Sequence, residues 1–596
     1  MSAHYEPEGQ APPKSGLLLL QALIWVLFCI FALRFWYLQI YRGEEFETKA
    51  RDNQLRQEAM FAPRGLVRDR IGKLVAVNEP AYALGLVRED CKDISTTLDK
   101  VTEWTGVDRE ALREKFHKYK RLVKPFEPMI LVPELPFEQV AVIEANALFW
   151  PGLEIVVRPK RYYKQRDLLA HVLGYVADAN EVELSKDSGL ALGDNVGKGG
   201  LELVLESRLR GAKGLRQVEV DATGRRLKQK ILREPLAGEH INLAIDLGLQ
   251  THAARQLEGQ AGAIVVMEPT TGKVLAFVSQ PSYDANMFVT GLSQKQWSKL
   301  RDDPMHPLQN RVIQSMFPPG SIYKLVVGGA LLEDGFSPKE TVYCGGQIKL
   351  GRRVFRCWKK HGHGRVDYQK AQVNSCDVYF YAAGDRLGVE KMSTFAKDCG
   401  FGQKTNISLP HEKTGLVPTP EWKRKRFGEP WVGGDNLNMA IGQGFNLVTP
   451  IQVARFISAL INGGTLYRPL LLADAEPEVQ GQLPMSELNR TMIVDAMVET
   501  VQSGTARRLK RKGVRMGGKT GTAQVVRLKL KEGDERRKTE EMDYRERDHA
   551  WLASFGEKDG KSYVAICMVE HGGHGGSAAG PVLKSIYDYL FSEKMQ

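Results

Sequence analysis

The sequence predicts a multidomain α+β protein. It has one apolar N-terminal helix, then an α+β region, then a C-terminal region built on one antiparallel sheet with helices packed against it. Three observations carry this expectation. At 596 residues the chain exceeds the size of one ordinary domain. Gly16 to Leu33 contains no charged residue and is long enough to cross a bilayer. In the C-terminal half, strand-like segments lie before and after a helical block, as in a sheet with helices laid across it.

Composition excludes some classes. The net charge of +12 is spread along the chain, with local clusters such as Arg507, Arg508, Lys510, Arg511 and Lys512. No basic face interleaved with stacking aromatics accompanies it, so nucleic-acid binding is not expected. Seven cysteines in so long a chain make no dense disulfide framework.

In order, residues 1–15 read as a polar tail and residues 16–40 as an uncleaved anchor. The anchor ends on the aromatic cluster Phe35-Trp36-Tyr37, which suits a membrane interface. Lys14 precedes the uncharged run Gly16 to Leu33, while Arg34, Arg42, Lys49 and Arg51 follow it. Flanking charge alone would put the long C-terminal part in the cytoplasm, but long domains cross regardless of such charge. Residues 41–238 form the first soluble region. Gly43 to Met60 reads as a helical stalk and Ala62 to Asn78 as two strands turning at Ile71-Gly72. Helices are expected over Val101 to Lys120 and Phe137 to Leu148, and a strand at Leu153 to Val157. Nothing in this region pairs a nucleophile with a base, which predicts a scaffold role. A boundary near Glu234 to Gly238 opens residues 239–596. There Ala261–Met267 and Lys273–Gln280 read as a hairpin, Asp367–Leu387 and Thr449–Gly463 as helices, and Gly518–Val526, Trp551–Phe555 and Tyr563–Glu570 as strands, before a last helix over Val582–Phe591.

The chemistry is concentrated in three short motifs. Pro318-Pro319-Gly320 cannot continue a regular element, so Ser321 is expected at the start of the apolar helix that follows. Lys324 falls on the same helix face, which gives the hydroxyl a nearby amine and the positive end of the helix dipole. This is the setting of an activated serine nucleophile. Ser375-Cys376-Asp377, expected within a helix, offers a second hydroxyl for proton relay with a carboxylate beside it. Lys519-Thr520-Gly521-Thr522 is expected in a strand, where glycine admits close approach of another backbone and the lysine and threonines can hold a carboxylate. Singly the second and third are weak; together and in this order the three form the signature set of penicillin-binding proteins and serine β-lactamases.

On these motifs the sequence resembles a class B penicillin-binding protein, a peptidoglycan D,D-transpeptidase, over nearly its whole length. The resemblance also rests on Arg64-Gly65, Asp69-Arg70-x-Gly72, Gly199-x-Leu201-Glu202, Leu209-Arg210-Gly211, Gly442-Gln443-Gly444 and Thr449-Pro450-x-Gln452. No glycosyltransferase domain is expected ahead of the scaffold. Within the class the resemblance is to penicillin-binding protein 2, the elongation enzyme, through Asp377 and the charged insertion Leu528 to Asp548; a division enzyme is the alternative.

The resemblance implies a dimerisation-type pedestal over residues 41–238 and a transpeptidase domain over residues 239–596. It makes Ser321 the nucleophile toward the D-Ala-D-Ala carbonyl, Lys324 the general base, and Ser375 the relay, oriented by Asp377. Lys519, Thr520, Gly521 and Thr522 would hold the donor carboxylate, and the N–H groups of Ser321 and Thr522 would form the oxyanion hole. It further implies stem peptides as substrate, β-lactams as inhibitors, and a SEDS-family glycan polymerase with other elongation membrane proteins as partners. The location implied is the inner membrane, with the catalytic domain outside the cytoplasm. A β-lactam-hydrolysing or sensing enzyme would need a water-activating base, which the sequence does not identify, and a silent scaffold would not need Ser321 and Lys324.

Cys344, Cys357, His363 and Cys376 are a third feature. From their pattern alone, a closed zinc set, a Cys344–Cys357 disulfide and unlinked thiols all stand open. The resemblance favours a structural zinc ion near the active site. His571 and His574, in a glycine-rich loop, read as turn residues.

Overall fold

The computed structural model describes residues 14–45, 55–187, 189–220, 226–525 and 541–592. Lys14–Trp36 is one helix, continued by a π turn over Tyr37–Tyr41. Its leucines and aromatics are exposed along its length. The span Gly16–Tyr41 is long and apolar enough to cross a membrane, so lipid is the solvent that suits it, and it serves as a single-pass anchor.

The described residues fall into two compact units. The first takes residues up to Ala62, Leu84–Val156 and Ala212–Leu236. Here Leu55–Met60, the end of the expected helical stalk, is a strand, antiparallel to Gly214–Val220, which in turn pairs with Arg226–Arg233. Ladder pairing outweighs the local helical preference; residues 46–54 of that stalk lie outside the described residues. The helix expected over Val101 to Lys120 is two, Ile94–Thr105 and Arg109–Tyr119. Gly106 ends the first at φ 69°, and the Asp108 carboxylate caps the second by accepting from Ala111 N.

The second unit takes Pro63–Ala83, Val157–Gly211 and residues from Ala237 onward. Val67–Arg68 pairs with Ile241–Asn242 on one side and turns through Gly72, at φ 86°, into the strand beginning at Leu74, as expected. Charged residues of the scaffold meet in its interior. Glu202, 1% exposed, accepts from Arg64 Nε at 2.5 Å and Arg161 Nε at 2.7 Å. Burial alone would raise the Glu202 carboxyl, but Arg161 and Arg64 hold it below its ordinary value. Removing one partner of such a buried set costs about 3–5 kcal/mol.

The catalytic part of this unit is a five-stranded antiparallel sheet. Its strands are β1 (Gly262–Met267), β2 (Val274–Gln280), β3 (Arg515–Ala523), β4 (His549–Lys558) and β5 (Lys561–Val569), in the order β2-β1-β5-β4-β3. The helices that matter here are α1 (Leu247–Arg255), α2 (Lys324–Glu333), α3 (Asp377–Asp398), α4 (Pro450–Ile461), α5 (Glu487–Gln502) and α6 (Gly575–Leu590). Strand alternation divides the apolar side chains between two cores. Ala263, Val265 and Met267 face the core shared with α2, α3 and α4, while Ile264 and Val266 face the core shared with α1 and α6. Burying each large aliphatic contributes about 1.5–3 kcal/mol, and a sheet covered on both faces explains why β1 and the Tyr563–Val569 part of β5 read as apolar runs. β3 is the edge strand, so one row of its backbone groups is left for the active site.

Candidate active site

Ser321 lies in a single 3-10 turn, Gly320–Tyr323, that runs directly into α2 at Lys324. The turn requires its glycine. Gly320 has φ 55°, and a Cβ there would lie 2.5 Å from Thr522 O and 2.9 Å from Thr522 N. The nucleophile turn is therefore pressed against the edge of β3.

The second motif is not inside a helix, contrary to expectation. The helix Tyr368–Val373 ends, Ser375 adopts φ 53°, and Cys376 is extended before α3 begins at Asp377. A left-handed serine is an uncommon conformation, and here it turns the serine's groups toward α2. The Lys324 ammonium, fully buried, donates to Ser375 O at 2.9 Å, Ser375 Oγ at 3.3 Å and Asp377 Oδ1 at 2.6 Å. Three of the four expected catalytic side chains thus share one hydrogen-bonded centre. The fourth, Ser321, is half-buried one turn earlier, and among the described residues its hydroxyl makes no hydrogen bond.

Lys519 sits behind this centre. It is 1% exposed and its ammonium donates to Gln372 O at 2.9 Å. Burial, reinforced by the Lys324 charge and opposed by Asp377, pushes Lys519 well below the ordinary lysine value. Thr520 and Thr522 are half-buried, and Thr520 Oγ1 lies 2.8 Å from Thr505 Oγ1. The cleft therefore presents hydroxyls to solvent with two buried lysine side chains behind them, N–H donors suited to a carboxylate and to a developing oxyanion. Gly521 is needed for contact: a Cβ would lie 2.6 Å from Pro319 O.

Several residues of the site have no sequence signal of their own chemistry. Gln443, from the Gly-Gln-Gly segment, donates from Nε2 to Thr522 O at 2.7 Å and accepts from Gln524 N at 3.3 Å. Its side-chain amide replaces a neighbouring strand at the end of β3. Because a strand residue's N–H and C=O point to the same side, this fixes the Thr522 N–H toward the nucleophile turn. Gln372 ties the motifs together by donating to Lys324 O at 2.8 Å, and Gly328 leaves room for it, since a Cβ would come within 2.5 Å of Gln372 Nε2. Trp358 N donates to Asp377 Oδ2 at 2.9 Å, and Trp358 Nε1 reaches Asn374 O and Ser375 O at 3.0 and 3.1 Å.

Trp358 follows Cys357, and the expected ligand set is adjacent. The donor atoms of Cys344, Cys357, His363 and Cys376 lie within 4.8 Å of one another. His363 Nδ1 is 3.6 Å from the sulfurs of both Cys344 and Cys357, the separation that two ligands of a tetrahedral zinc would have. All four cysteines of the region, Cys399 included, are free thiols rather than disulfides. Contact with the Cys376 thiol holds Cys357 down to about 5, while contact with Cys357 pushes Cys376 up. A thiolate and an imidazole at this spacing fit a metal ion. His571 packs at a tilt against the rings of His549 and Tyr544. Of the charged insertion Leu528 to Asp548, residues 528–540 lie outside the described residues.

A half-exposed hydroxyl backed by buried lysine side chains and a donor-lined strand edge suits acyl transfer from a peptide that ends in a carboxylate. The class this defines is that of the penicillin-recognising serine acyltransferases. Comparison with known proteins makes it specific. The chain belongs to the penicillin-binding protein family: residues 262–588 match the penicillin-binding protein transpeptidase domain, and residues 59–243 match the penicillin-binding protein dimerisation domain. It is 35% identical to the peptidoglycan D,D-transpeptidase MrdA of Acinetobacter baumannii over 95% of this chain and 86% of that one. It is 34% identical to MrdA of Escherichia coli K12 over 93% of this chain and 90% of that one. Among solved structures, penicillin-binding protein 2 (PBP2) of Helicobacter pylori, in complex with MreC, matches at TM-score 0.79 and 31% identity, covering 90% of this chain and 99% of that one.

Proposed function

We propose that this protein is the peptidoglycan D,D-transpeptidase of cell elongation, acting through an acyl-enzyme on Ser321. The observation that carries the reading is the Lys324 ammonium held between Ser375 and Asp377, one turn after a serine pressed against the Lys-Thr-Gly edge. In the reacting form Lys324 is the neutral amine: Ser321 Oγ attacks the carbonyl of the penultimate D-Ala and gives its proton to that amine, which becomes the ammonium held by Ser375 and Asp377. Negative charge on the carbonyl oxygen is met by the N–H groups of Ser321 and Thr522, each donor contributing on the order of 3 kcal/mol. The C–N bond then breaks, and D-Ala leaves with a proton delivered through Ser375. An amine from a neighbouring stem peptide attacks the ester, loses its proton to the same relay, and releases Ser321 with a new amide cross-link. Thr520 and Thr522 bind the donor carboxylate directly, with the Lys519 side chain behind them as a further N–H donor.

Labelling with fluorescent penicillin tests this. Stable label on the wild-type chain, absent in Ser321→Ala and mapped to Ser321 by mass spectrometry, supports it. Rapid turnover of the label identifies a hydrolase instead, and no label a silent scaffold.

Residues 1–15 are assigned to the cytoplasm, 16–40 to the membrane, 41–238 to a non-catalytic pedestal and 239–596 to the catalytic domain outside the cytoplasm, where the substrate is. A SEDS-family polymerase is proposed to supply the glycan strands, with an MreC-like membrane protein as a further partner. Cys344, Cys357, His363 and Cys376 would hold a zinc ion, whose chemistry here is structural cross-linking. The residues around it do the positioning: Trp358 N–H, next to Cys357, orients the Asp377 carboxylate toward Lys324.

A further inference from the structure

The segment Thr341 to Val366 contains seven Lys and Arg residues and no Asp or Glu. It folds as an antiparallel ribbon, Gln347–Leu350 against Arg353–Arg356, with Leu350 opposite Arg353 and Gln347 opposite Arg356. Register and packing sort its two faces. Ile348 and Phe355 are half-buried, and Cβ atoms at Gly433 and Gly434 would lie 3.2 Å from Leu350 and 3.1 Å from Phe355. That face therefore lies on the start of the helix Gly433–Ala440. The other face, with Lys349 opposite Val354 and Arg356 beside Gln347, is exposed, and Arg352 is exposed at the turn. Among the described residues, Lys349, Arg352, Arg353, Arg356, Lys359 and Arg365 have no carboxylate partner.

An isolated two-stranded ribbon is marginal, and crowded like charges destabilise it further. This one is nevertheless held in a fixed place. Tyr381 OH donates to Arg356 O at 3.1 Å, the Cys/His cluster closes its base, and Cys357 leads into Trp358, which contacts Asp377 and Ser375 directly. Arg356 is thus anchored two residues before Trp358, whose N–H groups enter the catalytic network, and the four-residue strands of the ribbon are about 13 Å long.

We propose that the exposed face of this ribbon binds the carboxylate-bearing stem peptides of the uncross-linked glycan strand that supplies the acceptor amine. The proposal rests on the transpeptidase reading above and names the docking surface for its second substrate. The substrate is a polymer with repeated carboxylates, so it matches a row of cations rather than a single pocket. The link through Trp358 to Asp377 and Ser375 fixes the row beside the catalytic centre, which favours the acceptor strand over an anionic lipid surface.

The test uses the full chain in detergent with Lys349→Glu, Arg352→Glu and Arg356→Glu combined, and a parallel triple Gln variant that removes charge without reversing it. Penicillin acylation needs no acceptor and is expected to stay within about twofold of wild type, which also reports folding. Cross-linking of polymerised, uncross-linked glycan strands is expected to fall about tenfold in the Glu variant and less in the Gln variant, the size set by a few exposed ion pairs. The wild-type rate should fall with added salt and the variants' rates should not. Unchanged cross-linking in the Glu variant would overturn the proposal. So would variants that lose binding to anionic phospholipid vesicles while still binding glycan strands, which would assign the ribbon to the membrane. Failure of the wild-type chain to take up penicillin would remove the transpeptidase reading itself, a distinguishable result.

Discussion

The Asp377 carboxylate bridges two parts of the catalytic unit: Oδ1 lies 2.6 Å from the Lys324 ammonium, and Oδ2 accepts from the backbone N–H of Trp358 at 2.9 Å. An ionised carboxylate accepts both bonds and needs to donate none. An aspartate in the second motif is thus explained by what it holds inside the protein rather than by a hydrogen bond to substrate.

Asp377→Ala leaves a buried ammonium without its counter-charge. The expected result is a loss of about 3 kcal/mol in stability and about a hundredfold in penicillin acylation rate. Asp377→Asn keeps an acceptor for Lys324 but cannot also accept from Trp358 N–H, so its loss is intermediate. Thermal melts and stopped-flow acylation give the two quantities, and acylation equal to wild type in both variants would contradict the positioning role.

Gln443→Ala leaves Thr522 O and Gln524 N unpaired at the end of the edge strand. Acylation is expected to fall about tenfold through the rate of bond formation, with little change in initial β-lactam affinity and about 1 kcal/mol lost in stability. Gln443→Glu cannot donate to Thr522 O and should be at least as slow. Equal rates in all three proteins would rule out a part for Gln443 in setting the oxyanion N–H.

Metal analysis of the purified chain is expected to find about one zinc per molecule. Cys357→Ala should lose the metal and lower the melting temperature. It should also slow acylation, because Trp358 and through it Asp377 lose their support. Cys91→Ala, outside the cluster, serves as the control. Retained acylation in a metal-free protein would separate the cluster from the catalytic centre.

Acid should destabilise the fold through His171 and His549. Burial, with Arg311 adding to it for His171 and His571 for His549, depresses both rings to about 4. The unfolded chain therefore takes up these protons first, near pH 6.5. Stability is complete above that pH and is lost as pH falls from about 6.5 toward 4, by about 2 kcal/mol per ring at pH 5. Melting temperatures between pH 7.5 and 5 should drop steeply for the wild type and less for His171→Gln.

The sequence by itself determined the anchor, the antiparallel sheet and the three motifs, because each depends on local pattern. An uncharged run needs lipid, alternation selects a face, and Pro-Pro-Gly before an apolar stretch places Ser321 at a helix start. Residues 55–60 and the backbone at Ser375 were decided only by tertiary structure, since a ladder partner far along the chain and the need to reach Lys324 override local preference. The same is true of Gln443, Gln372 and Trp358. A glutamine or tryptophan carries no mark of its partner in the chain, and its role exists only once folding brings Thr522, Lys519 or Asp377 within hydrogen-bond reach.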